Sequence, residues 1–211
     1  MPLYRNGMAD APQWCELKAF EIVNLAPGER RDFARTAPRE RLLVASGDCR
    51  LAFGGEQTDG AEGTKVELSG PDDHFAVTEV RQPTTLIHLR GTWGDETGGW
   101  GLFRVEYVAE PVERGDPVTY PKQTRIDNHY HDCDEYWIVL EGQGTAVSEG
   151  RHYEVGPGDC LATGMGHHHD FPLVTEPVKA VFFETTLAGQ CRRGHLWNHT
   201  HGEAQPQPGR D

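Results

Sequence analysis

Six of the seven residues in His129-Tyr130-His131-Asp132-Cys133-Asp134-Glu135 carry side chains that can ligate a metal. In an extended strand alternate side chains share a face. His129, His131, Cys133 and Glu135 would therefore stand together, and Tyr130, Asp132 and Asp134 would point the other way. Two imidazoles and one carboxylate suit a divalent first-row ion and leave coordination positions for a substrate. A third imidazole is available from His167, His168 and His169, where alternation sets His167 and His169 on one side and His168 on the other.

Two more residues could act beside such a centre. In Val178-Lys179-Ala180-Val181-Phe182-Phe183-Glu184, an outward Lys179 would turn Glu184 inward with Val178, Ala180 and Phe182. A carboxyl on an apolar face has a raised pKa and suits general acid or base work. The plainer alternative is a strand-end glutamate in water. Arg125 has the parity of His129 and, pointing inward, could hold an anionic substrate group; otherwise it is a surface arginine.

The elements that must position these residues read as strands. Runs such as FEIVNL, RLLVASG, TTLIHLRGTW, EYWIVLEG and VKAVFFETTL are separated at short intervals by Gly, Pro, Asn and Asp. With 25 Gly and 14 Pro and no uninterrupted helical pattern, the fold class is all-β, a sandwich or barrel. Pro38 breaks the one stretch with helical periodicity. The Pro-rich, charged segment 109–123 divides the chain.

HYHDCDEYWIVLEG resembles the first metal motif of the cupin superfamily, with His129, His131, Glu135 and Gly142 in its places. ATGMGH is similar to the second motif, with Ala162 for its proline, Gly164 kept and His167 as the histidine. The asparagine of that motif is replaced by Phe171, and Gln123 stands where the first motif has a glycine. The resemblance covers about residues 118–188. It implies a double-stranded β-helix (jelly-roll barrel) and a 3-His-1-Glu centre of His129, His131, Glu135 and His167. The centre would hold one divalent transition metal: Fe, Mn, Ni or Zn.

The first half shares the strand rhythm but has no His-x-His, so it reads as a degenerate, metal-free barrel, and the chain as bicupin-like. The expected domains are 14–110 for that barrel, 111–200 for the metal-binding barrel and 201–211 for a disordered tail. His195, His199 and His201 would fall in a solvated C-terminal segment, with a lid over the site as the other reading.

With 20 Lys and Arg against 33 Asp and Glu, the net charge of −13 repels nucleic-acid backbones and anionic membranes. No run approaches the ~20 apolar residues of a membrane helix. Five scattered cysteines without a CxxC pair read as free thiols in a reducing cytoplasm. The expected partner is a small-molecule substrate, with a homodimer compatible with the fold. Three activities fit: an isomerase or epimerase acting on a sugar-like or hydroxy-carbonyl compound, an Fe(II)-dependent dioxygenase, and a non-catalytic small-ligand binder.

Overall fold

A computed structural model describes residues 3–5, 7–8, 10–68, 70 and 73–210. Its first strands are β1 (Leu3–Arg5), β2 (Leu17–Leu25), β3 (Arg31–Phe33), β4 (Arg39–Phe53), β5 (Glu56–Ala61) and β6 (Lys65–Glu67). They are followed by β7 (Phe75–Gly91), β8 (Trp100–Val105), β9 (Glu135–Ser148), β10 (Arg151–Val155), β11 (Asp159–Thr163) and β12 (His169–Glu184). A single helical turn, α1 (Asn198–His201), comes last. The all-β expectation holds, and all strand pairings are antiparallel.

The chain forms two compact units, residues 17–93 and residues 1–16 with 94–211. This partition differs from the expected 14–110 and 111–200. β1 pairs with β11, and β8 pairs with β12, so both early strands belong to the later unit. Segment 109–123 is a loop inside that unit, because hydrogen bonding to β12 on both of its sides holds the chain there.

In the unit 17–93 the order is β2-β7-β4-β5, with β3 on β7 and β6 on β4. Its core takes Val23, Leu42, Val44, Leu51, Phe75 and Leu86 from strands with inward apolar residues. A buried pair, His88 and Glu40 at 2.8 Å, lies beside it, with the rings of Phe33 and Phe75 edge-on to the imidazole.

In the other unit the order is β1-β11-β9-β12-β8, with β10 on β9. Here β9 and β12 pair along their length, with His169 opposite Ser148 and Glu184 opposite Glu135. Yet the His169 imidazole reaches the Glu135 carboxylate at 2.7 Å. The strand pair must therefore bend back until its two ends meet. Four register shifts in β12 supply the bend, since each irregularity sharpens local twist. Gly142 permits it: its φ is +78°, and a Cβ would stand 1.9 Å from the Pro177 carbonyl oxygen. Trp137, Val139, Phe171, Val178 and Ala180 fill the enclosed space. Lys179, expected outward, is buried, because β12 is covered on both faces here.

Residues 201–210 are placed against the barrel rather than left as a tail; Asp211 lies outside the described residues. Gln207 N–H donates to the Met165 carbonyl at 3.1 Å, and Arg210 pairs with Asp134 at 2.6 Å. No helix among the described residues is long and apolar enough to cross a membrane.

Candidate metal centre

The segment 129–135 is not the simple strand its alternation suggests. Only His129 and Tyr130 form bridges before the chain bends and β9 begins at Glu135. Its backbone groups are instead distributed among five partners, as a buried loop requires. His129 exchanges two bonds with His169, and Tyr130 two with Leu196. The carbonyls of His131, Asp132 and Asp134 accept from Gly166, Ala188 and Thr185.

The second face of the segment is consequently not solvent-exposed. Asp132 pairs with Arg192 at 2.9 Å, Asp134 with Arg210, and the Tyr130 hydroxyl donates to the Gly202 carbonyl at 2.8 Å. All three partners lie in the C-terminal segment, which straps the loop down.

On the other face, His129, His131, Glu135 and His169 bring one ligand atom each to within 4.8 Å of one another. Their exposures are 1%, 2%, 4% and 1%. His169 replaces His167 of the sequence-based expectation. His169 starts β12, bridges His129 and bonds Glu135. His167 sits in a turn closed by its own N–H on the Gly164 carbonyl; its Nε2 is also buried without a hydrogen-bond partner, but it is not among the four residues whose ligand atoms lie within 4.8 Å of one another.

The three imidazoles are oriented alike. The Nδ1 atoms of His129, His131 and His169 meet the carbonyl oxygens of Asp127 (2.6 Å), Gly194 (3.0 Å) and His167 (3.0 Å). A carbonyl only accepts, so each Nδ1 carries the proton; Nε2 is then free to offer a lone pair in His129 and His131, and the His169 Nε2, 2.7 Å from a Glu135 oxygen, needs a proton or a cation between the two. This is the arrangement that metal-ligating histidines use. The Nε2 atoms of His129 and His131 are buried without a hydrogen-bond partner. The latter lies 3.2 Å from Glu135 but outside hydrogen-bond geometry. Unpartnered buried lone pairs converging beside a carboxylate fit a cation.

The electrostatics agree. Burial, followed by the nearby imidazoles, pushes His129 well below the ordinary histidine range. Burial also opposes charge on His131, but the Glu135 carboxylate outweighs it and raises His131. Glu135 is held well below the carboxylate range: against the burial penalty, His131 and then His169 stabilise its charge.

Glu184 is buried at the end of β12, where burial and then the charge of Glu135 raise its pKa. It accepts from the Gly99 amide and lies 3.9 Å from Nδ1 of His131, the side opposite the free Nε2. With His131 and Cys133 it forms a second buried trio within 4.8 Å. Burial, then Glu184, pushes the Cys133 thiol upward. Arg125, expected in the barrel mouth, is instead exposed beside Arg104, Glu106 and Val108. Residues 121–128 form no strand, so the parity with His129 does not carry back to it.

His195, expected in a solvated C-terminal segment or in a lid, lies flat on His129 with ring centroids 3.9 Å apart. Its contact depends on the strap, and the only sequence signal was the histidine richness of RRGHLWNHTHG. A cavity of about 510 Å³ reaches His131 and is walled by Tyr130, Met165, Arg192, Gln205 and Gln207. A larger hollow of about 850 Å³ is lined by Asp116, Tyr120, His152, His168 and His199. There Asp116 accepts from the amides of Asn198 (2.7 Å) and His199 (3.3 Å) and meets the rings of His168 (3.0 Å) and His199 (2.9 Å). Its oxygens are committed to clamping α1, so the smaller cavity is the one related to the cluster.

A family model for the cupin domain matches residues 117–184. An uncharacterized protein of Sinorhizobium fredii, y4oW, is 44% identical over 212 residues, covering 100% of this chain and 96% of that protein. Among solved structures, an oxalate decarboxylase variant from Bacillus subtilis aligns with TM-score 0.58 at 11% identity, covering 88% of this chain and 74% of that one. A conserved protein of unknown function from Pseudomonas aeruginosa aligns with TM-score 0.56 at 15% identity, covering 81% and 83%. At these identities the solved structures speak for the fold alone.

Proposed function

This chain belongs to the cupin superfamily, and we propose that it is a metal-dependent enzyme for a small polar carbonyl or carboxylate substrate. The ligands in this reading are His129, His131, Glu135 and His169, and the unit 17–93 is a metal-free, bicupin-type partner. One observation carries the proposal: three Nδ1–H groups, each donating to a backbone carbonyl, turn three Nε2 atoms toward a single buried carboxylate, and two of those atoms have no hydrogen-bond partner.

A divalent ion held there supplies Lewis acidity toward a carbonyl oxygen or, if it is iron, redox chemistry with O₂. The residues do the rest. The carbonyls of Asp127, Gly194 and His167 hold the rings in place, and Glu135 contributes the only negative ligand. The leading reading is proton transfer of the isomerase or epimerase type. Glu184, a buried carboxyl whose pKa burial and Glu135 raise, stands one imidazole away from the centre in this reading. Because Glu184 faces the Nδ1 side of His131, it is a positioning residue in this scheme. The second reading is an Fe(II) dioxygenase, since three imidazoles and one carboxylate can hold Fe(II) and leave positions for O₂ and substrate.

The test is metal analysis of anaerobically purified protein, followed by oxygen-uptake assays with small acids and sugars. About one metal per chain is expected in the wild type and none in H131A, because that substitution removes a central ligand. Unchanged metal in H131A refutes the site. Oxygen uptake selects the dioxygenase over the isomerase.

A further inference from the structure

The four ligands of the proposed centre are shut away from solvent, whereas His195, packed on them, is exposed. Its ring is nearly parallel to His129, at 11°, and edge-on to His131, with centroids 5.4 Å apart at 79°. His195 is thus the solvent-facing ring packed over His129 and His131.

This placement is built into the chain. The residue before His195 is Gly194, whose carbonyl orients the His131 ring. The residue after it is Leu196, which exchanges two 3.0 Å backbone bonds with Tyr130. His195 is thus pinned from both sides to the loop that carries two ligands. Gly194 makes the turn with φ +85°, a conformation that side-chain-bearing residues rarely adopt.

His195 also differs chemically from its neighbours. The Nδ1 groups of His129, His131 and His169 are committed to carbonyls, whereas neither ring nitrogen of His195 is hydrogen-bonded to a described residue. A neutral imidazole keeps one N–H donor and one acceptor for a ligand. A divalent ion held with a single carboxylate leaves local positive charge, which draws an anion even into a protein of net charge −13.

We propose that His195 is the recognition residue of this site, donating a hydrogen bond to an oxygen or nitrogen of a small anion bound at the metal centre. The proposal rests on the metal-centre reading above and assigns it a substrate class, small monoanions of the carboxylate type. His195 is not a ligand in this scheme.

The test uses the full chain loaded with cobalt(II), in wild-type, H195A and H195Q forms, titrated with acetate and with azide and followed by the visible cobalt spectrum. One cobalt per chain is expected in all three. Anion affinity should fall about tenfold or more in H195A, the worth of one hydrogen bond to a charged group, and recover in part in H195Q, which keeps a donor. Equal affinity in wild type and H195A overturns the proposal, as does absence of anion binding in the wild type. Loss of cobalt from H195A alone also overturns it, by making His195 a ligand. A wild type that takes up no cobalt overturns the metal-centre reading, and this proposal with it.

Discussion

Substituting His169 and His167 one at a time separates two residues that alternation alone treats as equivalent. In H169A the cluster loses one of four donors, and Glu135 loses its 2.7 Å partner. Removing only an outer partner of a metal ligand already costs 10–100-fold in affinity. Loss of a ligand itself should therefore exceed about 100-fold, leaving the purified protein without metal. The metal-free protein should suffer too. Leaving a buried carboxylate without its hydrogen-bond partner costs about 3 kcal/mol or more. For a chain of this size that corresponds to a fall in melting temperature on the order of 10 °C. H167A should keep its metal, with affinity within about threefold of the wild type, because His167 contributes no atom to the cluster. The assays are metal content by mass spectrometry, chelator competition, and thermal melting of metal-free protein. Metal lost from H167A and kept by H169A would refute the assignment and restore the ligand that the motif resemblance suggested.

Two other outcomes follow from buried charges. R210A strands Asp134, whose side chain is fully buried and is otherwise bonded by the Met165 amide. The expected cost is about 3–5 kcal/mol where Asp134 is ionised. Burial already raises Asp134 against the pull of Arg210. Without the arginine its folded pKa lies higher still above the unfolded value, so stability should fall as pH rises through that interval. Denaturant unfolding of R210A should show a larger deficit at pH 8 than at pH 5, and a pH-independent deficit would contradict this. His88 works in the other direction: burial pushes its pKa down despite Glu40. The unfolded chain protonates this residue below about 6.5 while the folded chain resists, so stability should be lost as pH falls below that value. Urea unfolding from pH 8 to pH 5 should give a shallower acid-side decline in H88Q than in the wild type, and parallel curves would refute it.

Local features of the sequence carried a good deal of this. Short strand runs between Gly and Pro turns determined the all-β class, because they reflect backbone preferences and apolar faces that need no distant partner. His-x-His with a glutamate four residues later placed three of the four clustered donors, although the loop reaches that arrangement through a bend and not by strand alternation. Glu184 is buried, the inward of the two readings that the sequence left open, while the outward Lys179 on which that reading was built is buried too, because β12 is buried on both faces. Arg125 was assigned by a strand parity that stops where the strand stops.

Tertiary structure decided what depended on residues far apart in the chain. The choice of His169 over His167 comes from the fold-back of β9 and β12, which depends on register shifts and on the close approach at Gly142. The unit boundaries come from β1 and β8 finding partners in β11 and β12. The C-terminal segment shows the difference most plainly. Taken alone it is polar and rich in proline, with too little apolar surface to order itself. It is ordered because Asp132, Asp134 and Tyr130 wait on the barrel for Arg192, Arg210 and a backbone carbonyl. Composition reports what a segment can do alone, and these charges and donors are satisfied only across the folded chain.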